Sequence, residues 1–339
     1  MGKKIWNGLL LLLNAILAFM LLFACLVPHI SAEVLPALSL FSLLVPFMVL
    51  ANIACVIYWV IQFKKAFLWS SISLVIAFFF IGSFYQFRPE KPIPAQEGLS
   101  LLSYNTRLFN KYQWSTDPSI AAQIINFVNH SAAQIVAFQE FDVSHKNAFP
   151  SFPYVHISAA DNSQQAVQAI FSKYPIVNSG SVSFPSSTNT AIFADIQVGE
   201  AVVRIYNVHL QSLRFSPNKV SSLDEEKRER LYKRLKVSFA KQQQQAALVA
   251  AHIKQSPHRV LLCGDFNTNQ FSSVYYEIKG DFKDSFRESG YGFGKTLDFP
   301  YFPMRIDYIL ADPSLDFIYH KNYRISLSDH FPILATVRL

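Results

Sequence analysis

Charge is what this sequence lacks first. Asp, Glu, Lys and Arg make up 16% of its 339 residues, against 51% hydrophobic and 15% aromatic, including 31 Phe. A soluble domain carries about 25% charged residues, so the deficit excludes a wholly soluble protein. It is unevenly spread. Residues 1–95 hold eight charged side chains, whereas the remaining 244 hold 45, or 18%. The polar part is the larger, which excludes a pure transporter. Cysteine is scarce too: Cys25, Cys55 and Cys263 offer no disulfide framework. Basic excess is missing where it would matter for nucleic acid. The net charge is +7, but residues 1–95 supply +4 of it, and the surplus of three beyond them is no electrostatic footprint for DNA or RNA.

What fills the first ninety residues is apolar. Runs at 5–27, 35–63 and 66–84 each approach or exceed the 18–20 residues that carry a helix across hydrocarbon, so three transmembrane helices are expected. Lys3 and Lys4 precede the first run and Lys64 and Lys65 precede the third, while 28–33 has no Lys or Arg. The positive-inside rule then puts the N-terminus inside and everything after about residue 87 outside. This predicts a multi-pass protein of the cell (inner) membrane whose polar domain is extracytoplasmic. The first run also admits a cleaved signal peptide ending near Ser31-Ala32, or a lipoprotein box at Leu22-Phe23-Ala24-Cys25. Asn7, Asn14 and Asn52 read as helix-packing residues, since no ionisable residue lies mid-span. The Pro-rich stretch 88–98 reads as a stiff linker, dividing an anchor at 1–87 from a domain at 99–339.

In the polar domain, strands are expected at 101–107, 135–139, 169–171, 191–197, 202–209, 260–263, 306–310 and 333–337. Helices are expected at 118–130 and about 223–254. Gln242 to Gln245 read as solvated helix surface. Strands both alternate with helices and follow one another directly, which favours a mixed-sheet layered α/β fold. Polar residues gather where strands end: Ser103-Tyr104-Asn105-Thr106, Phe138-Gln139-Glu140, Asn207-Val208-His209, Gly264-Asp265-Phe266-Asn267 and Ser328-Asp329-His330. Arg305-Ile306-Asp307-Tyr308 opens a strand. Carboxylate and amide oxygens on a rigid rim suit Mg²⁺ or Mn²⁺, and the two His add proton-transfer capacity or positive charge. There is no G-x-S-x-G nucleophile elbow, and Ser289 to Thr296 imitates a P-loop with Ser at its first Gly position. His130, His145, His156, His252, His258 and His320 show no metal-ligand spacing and read as surface residues.

In this order, the motifs resemble the endonuclease/exonuclease/phosphatase superfamily, the fold of DNase I-like nucleases, AP endonucleases, neutral sphingomyelinases and inositol polyphosphate 5-phosphatases. Ala169-Ile170-Phe171-Ser172-Lys173-Tyr174-Pro175 resembles its strand before a Ser-Arg-x-Pro turn, with Lys for Arg. The resemblance covers 99–339 and implies a four-layer α/β/β/α sandwich of two mixed sheets. It implies Glu140 as principal metal ligand, with Asn105 beside it and Asp329 at the metal directly or through water. Asp265 would orient or deprotonate the attacking water, Asn267 would hold a phosphate oxygen, and His209 would meet the scissile phosphate or leaving oxygen. Asp307 would fix the ring of His330, while Asn207, Arg305 and Tyr308 would contact substrate. The implied activity is Mg²⁺- or Mn²⁺-dependent phosphodiester hydrolysis on nucleic acid or a phospholipid head group, with no protein partner evident. A sphingomyelinase-type lipid phosphodiesterase and a catalytically inactive membrane-bound module are the alternatives.

Overall fold

The computed structural model describes residues 2–82, 84–92, 98–158, 167–185, 187–213, 224–300 and 302–339. The chain divides into two compact units: residues 1–84 with 216–243 and 269–276, and residues 85–215 with 244–268 and 277–339.

The first unit contains three apolar helices, α1 (Gly2–Ala24), α2 (Ser39–Ile61) and α3 (Phe67–Ile81). The stretches Lys4–His29 and Pro36–Ile61 are long and apolar enough to cross a membrane. At 15 residues, α3 rises roughly 22 Å, less than a hydrocarbon core of about 30 Å. The run expected to reach residue 84 stops at Gly82, whose φ of 75° lies in the left-handed region that ends helices. Large apolar side chains point outward along all three, among them Leu9, Phe19, Ile57 and Phe79, and polar contacts join them. Asn14 Nδ2 donates to Ala66 O at 2.9 Å, Ser70 Oγ donates to Asn14 Oδ1, and Asn52 Nδ2 donates to Leu17 O at 3.1 Å. Such amides satisfy one another where water is absent.

The second unit runs β1 (Leu99–Asn105), α4 (Ile120–Asn129), β2 (Ile135–Phe141), β3 (Tyr154–Ile157), β4 (Val167–Ser172), β5 (Ile176–Ser183), β6 (Thr190–Val198) and β7 (Ala201–His209). Then come α5 (Glu225–Ile253), β8 (Arg259–Asp265), α6 (Ser273–Lys279), β9 (Lys283–Asp284), α7 (Ser285–Ser289), β10 (Asp307–Ala311), β11 (Asp316–Asn322) and β12 (Ile333–Arg338), with α5 and α6 each contributing to both units. Two six-stranded sheets form, ordered β11-β12-β1-β2-β4-β3 and β5-β6-β7-β8-β10-β9. Both are mixed, because β1–β2 and β7–β8 are parallel and the other pairs antiparallel.

Alternation along each strand builds the layers. Leu99, Leu101, Ile135 and Ala137 point into the inter-sheet core with Ile192, Ala194, Val203, Ile205, Leu261 and Cys263. Leu102, Tyr104, Val136 and Phe138 point the other way, onto Ile120, Ile124 and Val128, the i, i+4, i+8 stripe of α4. Each fully buried aliphatic contributes about 1.5–3 kcal/mol. On the second sheet, Tyr206 OH meets His252 Nδ1 of α5 at 2.7 Å. This is the expected four-layer α/β/β/α arrangement of two mixed sheets.

Several local expectations are corrected. Gln242, Gln243 and Gln245 are buried; Gln245 Oε1 accepts from Gln211 N at 2.8 Å and its Nε2 donates to Ser187 Oγ at 3.2 Å. His320 is buried as well. The first part of the expected linker docks instead of spanning free space: Arg88 Nη1 donates to Arg287 O at 2.5 Å and Lys321 Nζ lies 3.3 Å from Glu90. Residues 93–97 of that linker, Leu223 of the expected helix and Tyr301 lie outside the described residues.

Candidate active site

Strand register brings the candidate residues to one rim. Across the parallel β7–β8 pair His209 stands opposite Asp265, and across β8–β10 Asp265 stands opposite Asp307. In the other sheet, the β1–β2 pair sets Asn105 beside Gln139. Buried amides then bridge the sheets: Asn105 Nδ2 donates to Asp265 Oδ2 at 3.0 Å, and Gln139 Nε2 donates to Asn207 Oδ1 at 2.7 Å. At Gly264 the strands approach so closely that a Cβ would lie 1.9 Å from Val208 O, and φ there is +139°.

Asp265 Oδ2 is the focus. Besides Asn105, His209 Nε2 and His330 Nε2 each lie 3.7 Å from it. The other nitrogen of His330, Nδ1, sits 3.0 Å from Asp307 Oδ2 and 3.2 Å from Oδ1, so the sequence-expected pair is formed. Thr296, a buried residue that the sequence offers only as the end of a P-loop imitation, fixes the start of β10 by accepting from Ile306 N and Asp307 N at 2.9 and 3.1 Å. Asp265, Asp307 and His330 carry ligand atoms all within 4.8 Å of one another.

Glu140 and Asn267 are aimed by their backbones. Glu140 sits where the β2–β4 register shifts between Phe138 and Phe141, with φ 48°. A bulge of this kind re-aims a side chain; here it leaves Glu140 about one-third exposed, with Oε1 4.0 Å from His209 Nε2. Asn267 has φ 52°; its N donates to Asp265 Oδ1 at 2.8 Å and its Nδ2 to Leu210 O at 3.0 Å. Asp329 is half-exposed, with Oδ2 3.1 Å from Arg107 Nη1. Asn105 Oδ1 accepts from Arg107 N at 3.1 Å, so in this conformation its oxygen turns away from Asp265.

Three residues assigned to substrate are instead held within the scaffold. Asn207 is buried, donating to Phe138 O and Ala169 O at 2.8 and 3.2 Å. Arg305 is buried, its Nη1 donating to both carboxylate oxygens of Asp284 at 2.8 and 3.0 Å and its guanidinium carbon 4.8 and 4.7 Å from the ring centroids of Phe286 and Tyr308. Tyr308 OH donates to Thr268 O and Arg305 O at 3.0 and 2.8 Å. Strand-opening Arg-x-Asp-Tyr thus delivers Asp307 to the site and uses its neighbours to brace the strand.

The electrostatics follow from burial among few counter-charges. Burial foremost, joined by the charge of Asp307, pushes the Asp265 carboxyl above the usual carboxylate range, against the pull of His330 and His209. Burial alone would depress His330, but Asp307 and Asp265 attract its proton and push the ring up to about 10. The cluster therefore combines a buried carboxylate able to hold a water proton with a cationic imidazole whose orientation is fixed.

The model of the endonuclease/exonuclease/phosphatase family matches residues 102–330, and a domain of unknown function (DUF8431) matches residues 7–84. No curated protein matches the chain. Among solved structures, an endonuclease/exonuclease/phosphatase family protein from Bacteroides thetaiotaomicron aligns at 19% identity and TM-score 0.55, over 71% of this chain and 94% of that one. A mannosyl-6-phosphatase from B. thetaiotaomicron VPI-5482 aligns at 19% and 0.53, over 71% and 100%. A humanized D. rerio TDP2 aligns at 16% and 0.52, over 71% and 99%. At these identities the likeness is one of fold. The family match covers most of the chain: it belongs to the endonuclease/exonuclease/phosphatase family, whose members hydrolyse phosphoester bonds.

Proposed function

We propose that the chain is a membrane-anchored, divalent-metal-dependent phosphoesterase that hydrolyses phosphodiester bonds by in-line attack of water. The observation that carries this is the convergence of Asn105, His209 and the His330–Asp307 pair on Asp265 Oδ2. The donor chemistry fits Mg²⁺ or Mn²⁺: Glu140, Asp265, Asp307 and Asp329 outnumber the cationic groups beside them, and hard oxygen donors suit these ions. Glu140 and Asp329 would hold the ion, with Asn105 once its amide is turned over. When bound, the ion neutralises phosphate charge. Asp265 orients the attacking water and takes its proton. His330, held by Asp307, opposes the charge developing on the phosphoryl oxygens, His209 faces the leaving oxygen, and Asn267 steadies a phosphate oxygen. Positioning and electrostatics supply most of such catalysis.

The two apolar stretches support anchoring, and the lysine pairs at 3–4 and 64–65 support a catalytic unit outside, with α3 as a third crossing. A phosphatase reporter fused after Leu339 should be active only outside the cytoplasm; an inactive fusion refutes this topology. The deciding experiment assays the full-length chain in detergent against bis-p-nitrophenyl phosphate, DNA, RNA and choline phospholipids. EDTA should abolish turnover and Mg²⁺ or Mn²⁺ restore it, and Asp265→Ala should be inactive yet folded. Chelator-resistant turnover, or an active Asp265→Ala, overturns the proposal.

A further inference from the structure

We propose that Arg107 is a substrate-binding residue of this site, its guanidinium leaving Asp329 to grip a non-bridging oxygen of the substrate phosphate. This rests on the phosphoesterase proposal above. Among the described residues, the carboxylates of the cluster meet one arginine, and it is this one: Arg107 Nη1 lies 3.1 Å from Asp329 Oδ2, both side chains being about 40% exposed. Its backbone belongs to the site as well, since Arg107 N donates to Asn105 Oδ1 at 3.1 Å. A guanidinium engaging carboxylate through one nitrogen keeps further donors in the fork geometry that matches phosphate.

The backbone is the second observation. Residues 107–110 all have positive φ, at 46°, 53°, 53° and 64°. Four consecutive left-handed non-glycine residues cost more than one half-exposed ion pair returns, so the pair with Asp329 does not account for the turn. The turn persists because its far side is over-determined. Leu108 and Phe109 are buried, and Phe109 stacks near Phe141 and His145 at 5.5 and 4.6 Å between centroids. Asn110 Nδ2 donates to Ser115 O and Asp117 O at 3.0 and 3.2 Å, and its Oδ1 accepts from Ser115 N at 3.0 Å. This anchoring presents Arg107 at the rim. Trp114 completes the mount: the guanidinium carbon lies 5.1 Å from its ring centroid, and its Nε1 is buried with no hydrogen-bond acceptor among the described residues.

The same tryptophan supplies the test. The others, Trp6, Trp59 and Trp69, lie in the apolar runs, so the emission difference between the full-length protein and its Trp114→Phe variant isolates Trp114. Inorganic phosphate, titrated into the protein in detergent, should change that emission saturably. Arg107→Ala should raise the half-saturating phosphate about tenfold or more, with Arg107→Lys in between. KM for bis-p-nitrophenyl phosphate should rise in parallel while kcat changes far less, as for binding shared by ground and transition states. Unchanged half-saturation and KM in Arg107→Ala refute the assignment, and if that variant fails to fold, wild-type values in Arg107→Lys do the same. A protein that turns over no phosphoester yet binds phosphate through Arg107 overturns the hydrolase proposal and leaves this one standing. Turnover and phosphate binding both indifferent to Arg107 overturn this one alone.

Discussion

Replacing Asp307 with Asn keeps its size and removes one charge. In the wild-type protein His330 Nδ1 lies 3.0 Å from Asp307 Oδ2. At an effective dielectric constant of about 20, unit charges at that separation attract by roughly 5 kcal/mol. That attraction, added to the pull of Asp265, overcomes burial and holds the ring up to about 10. Without it burial is opposed only by the charges of Asp265 and Asp329, and the ring falls below that value. At pH 8 the wild-type ring is therefore a cation, and the variant ring carries less positive charge. An amide nitrogen would also donate to Nδ1 and fix the other tautomer. We expect kcat on bis-p-nitrophenyl phosphate to fall by about 10²–10⁴ at pH 8 and to recover in part as the pH is lowered toward about 5.5. The sign for stability follows. The wild-type pair contributes fully below the unfolded value near 6.5, and its contribution is lost as pH rises through about 10. The measurement is a pH–rate profile of both proteins at saturating Mg²⁺, with circular dichroism confirming that the variant is folded. A profile superimposable on the wild type, or near-normal kcat at pH 8, would falsify the assignment of His330 as a cation held by Asp307.

His320 titrates in the opposite sense. Burial lowers it to about 4 while Ser285 Oγ and Asn322 Oδ1 hold its ring at 2.8 and 3.0 Å. The unfolded chain takes up a proton near 6.5 and the folded one near 4, so stability should fall by roughly 3 kcal/mol as pH drops through that window. Urea midpoints at pH 7 and pH 4.5 should show a drop that shrinks in His320→Gln; equal drops would refute it. Gly264→Ala puts a Cβ 1.9 Å from Val208 O, a backbone-on-backbone clash that no rotamer relieves. It should destabilise the domain by at least about 3 kcal/mol, read as a fall in thermal midpoint, and an unchanged midpoint would show that the strands part without cost.

The layers of the fold were legible because alternation is a strong signal: Leu99, Leu101 and Ile135, Ala137 take one side of their sheet while Leu102, Tyr104 and Val136, Phe138 take the other. The edge strands were not. Ile176–Ser183 reads Asn-Ser-Gly-Ser through its middle, and Tyr154–Ile157 is short and half-exposed. Their pairing comes from neighbours far along the chain rather than from their own composition. The rim residues were legible as short polar motifs closing apolar strands, yet motif membership does not say which side chain faces the cleft. Asn207, Arg305 and Tyr308 stand in the same motifs as His209 and Asp307, and it is the buried partners, Phe138 O, Asp284 and Thr268 O, that turn them into braces. Arg107 lay two residues past Asn105, with nothing in the sequence to announce a left-handed turn.

That turn points to how the site is put together. Register sets His209, Asp265 and Asp307 side by side, and Asn105 reaches Asp265 from the other sheet through its amide; those residues sit on ordinary strand backbone braced on both sides. The groups that must reach beyond the rim are Glu140, Asn267 and Arg107, and each takes a positive φ. A pleated strand offers a side chain two directions, into one face or the other, and neither points along the strand toward a ligand lying across its end. A single left-handed residue supplies the third direction at a cost on the order of 1–2 kcal/mol. The cost recurs at three separate points around one carboxylate, which is the distribution expected if the aim of these side chains, rather than the stability of their loops, is what the sequence maintains. Restoring regular backbone by making the β2 bulge a flush strand, through deletion of Glu140 and placement of Glu at the neighbouring position, should therefore keep or raise stability while removing activity. A shortened strand that still turns over substrate would show that the bulge is incidental.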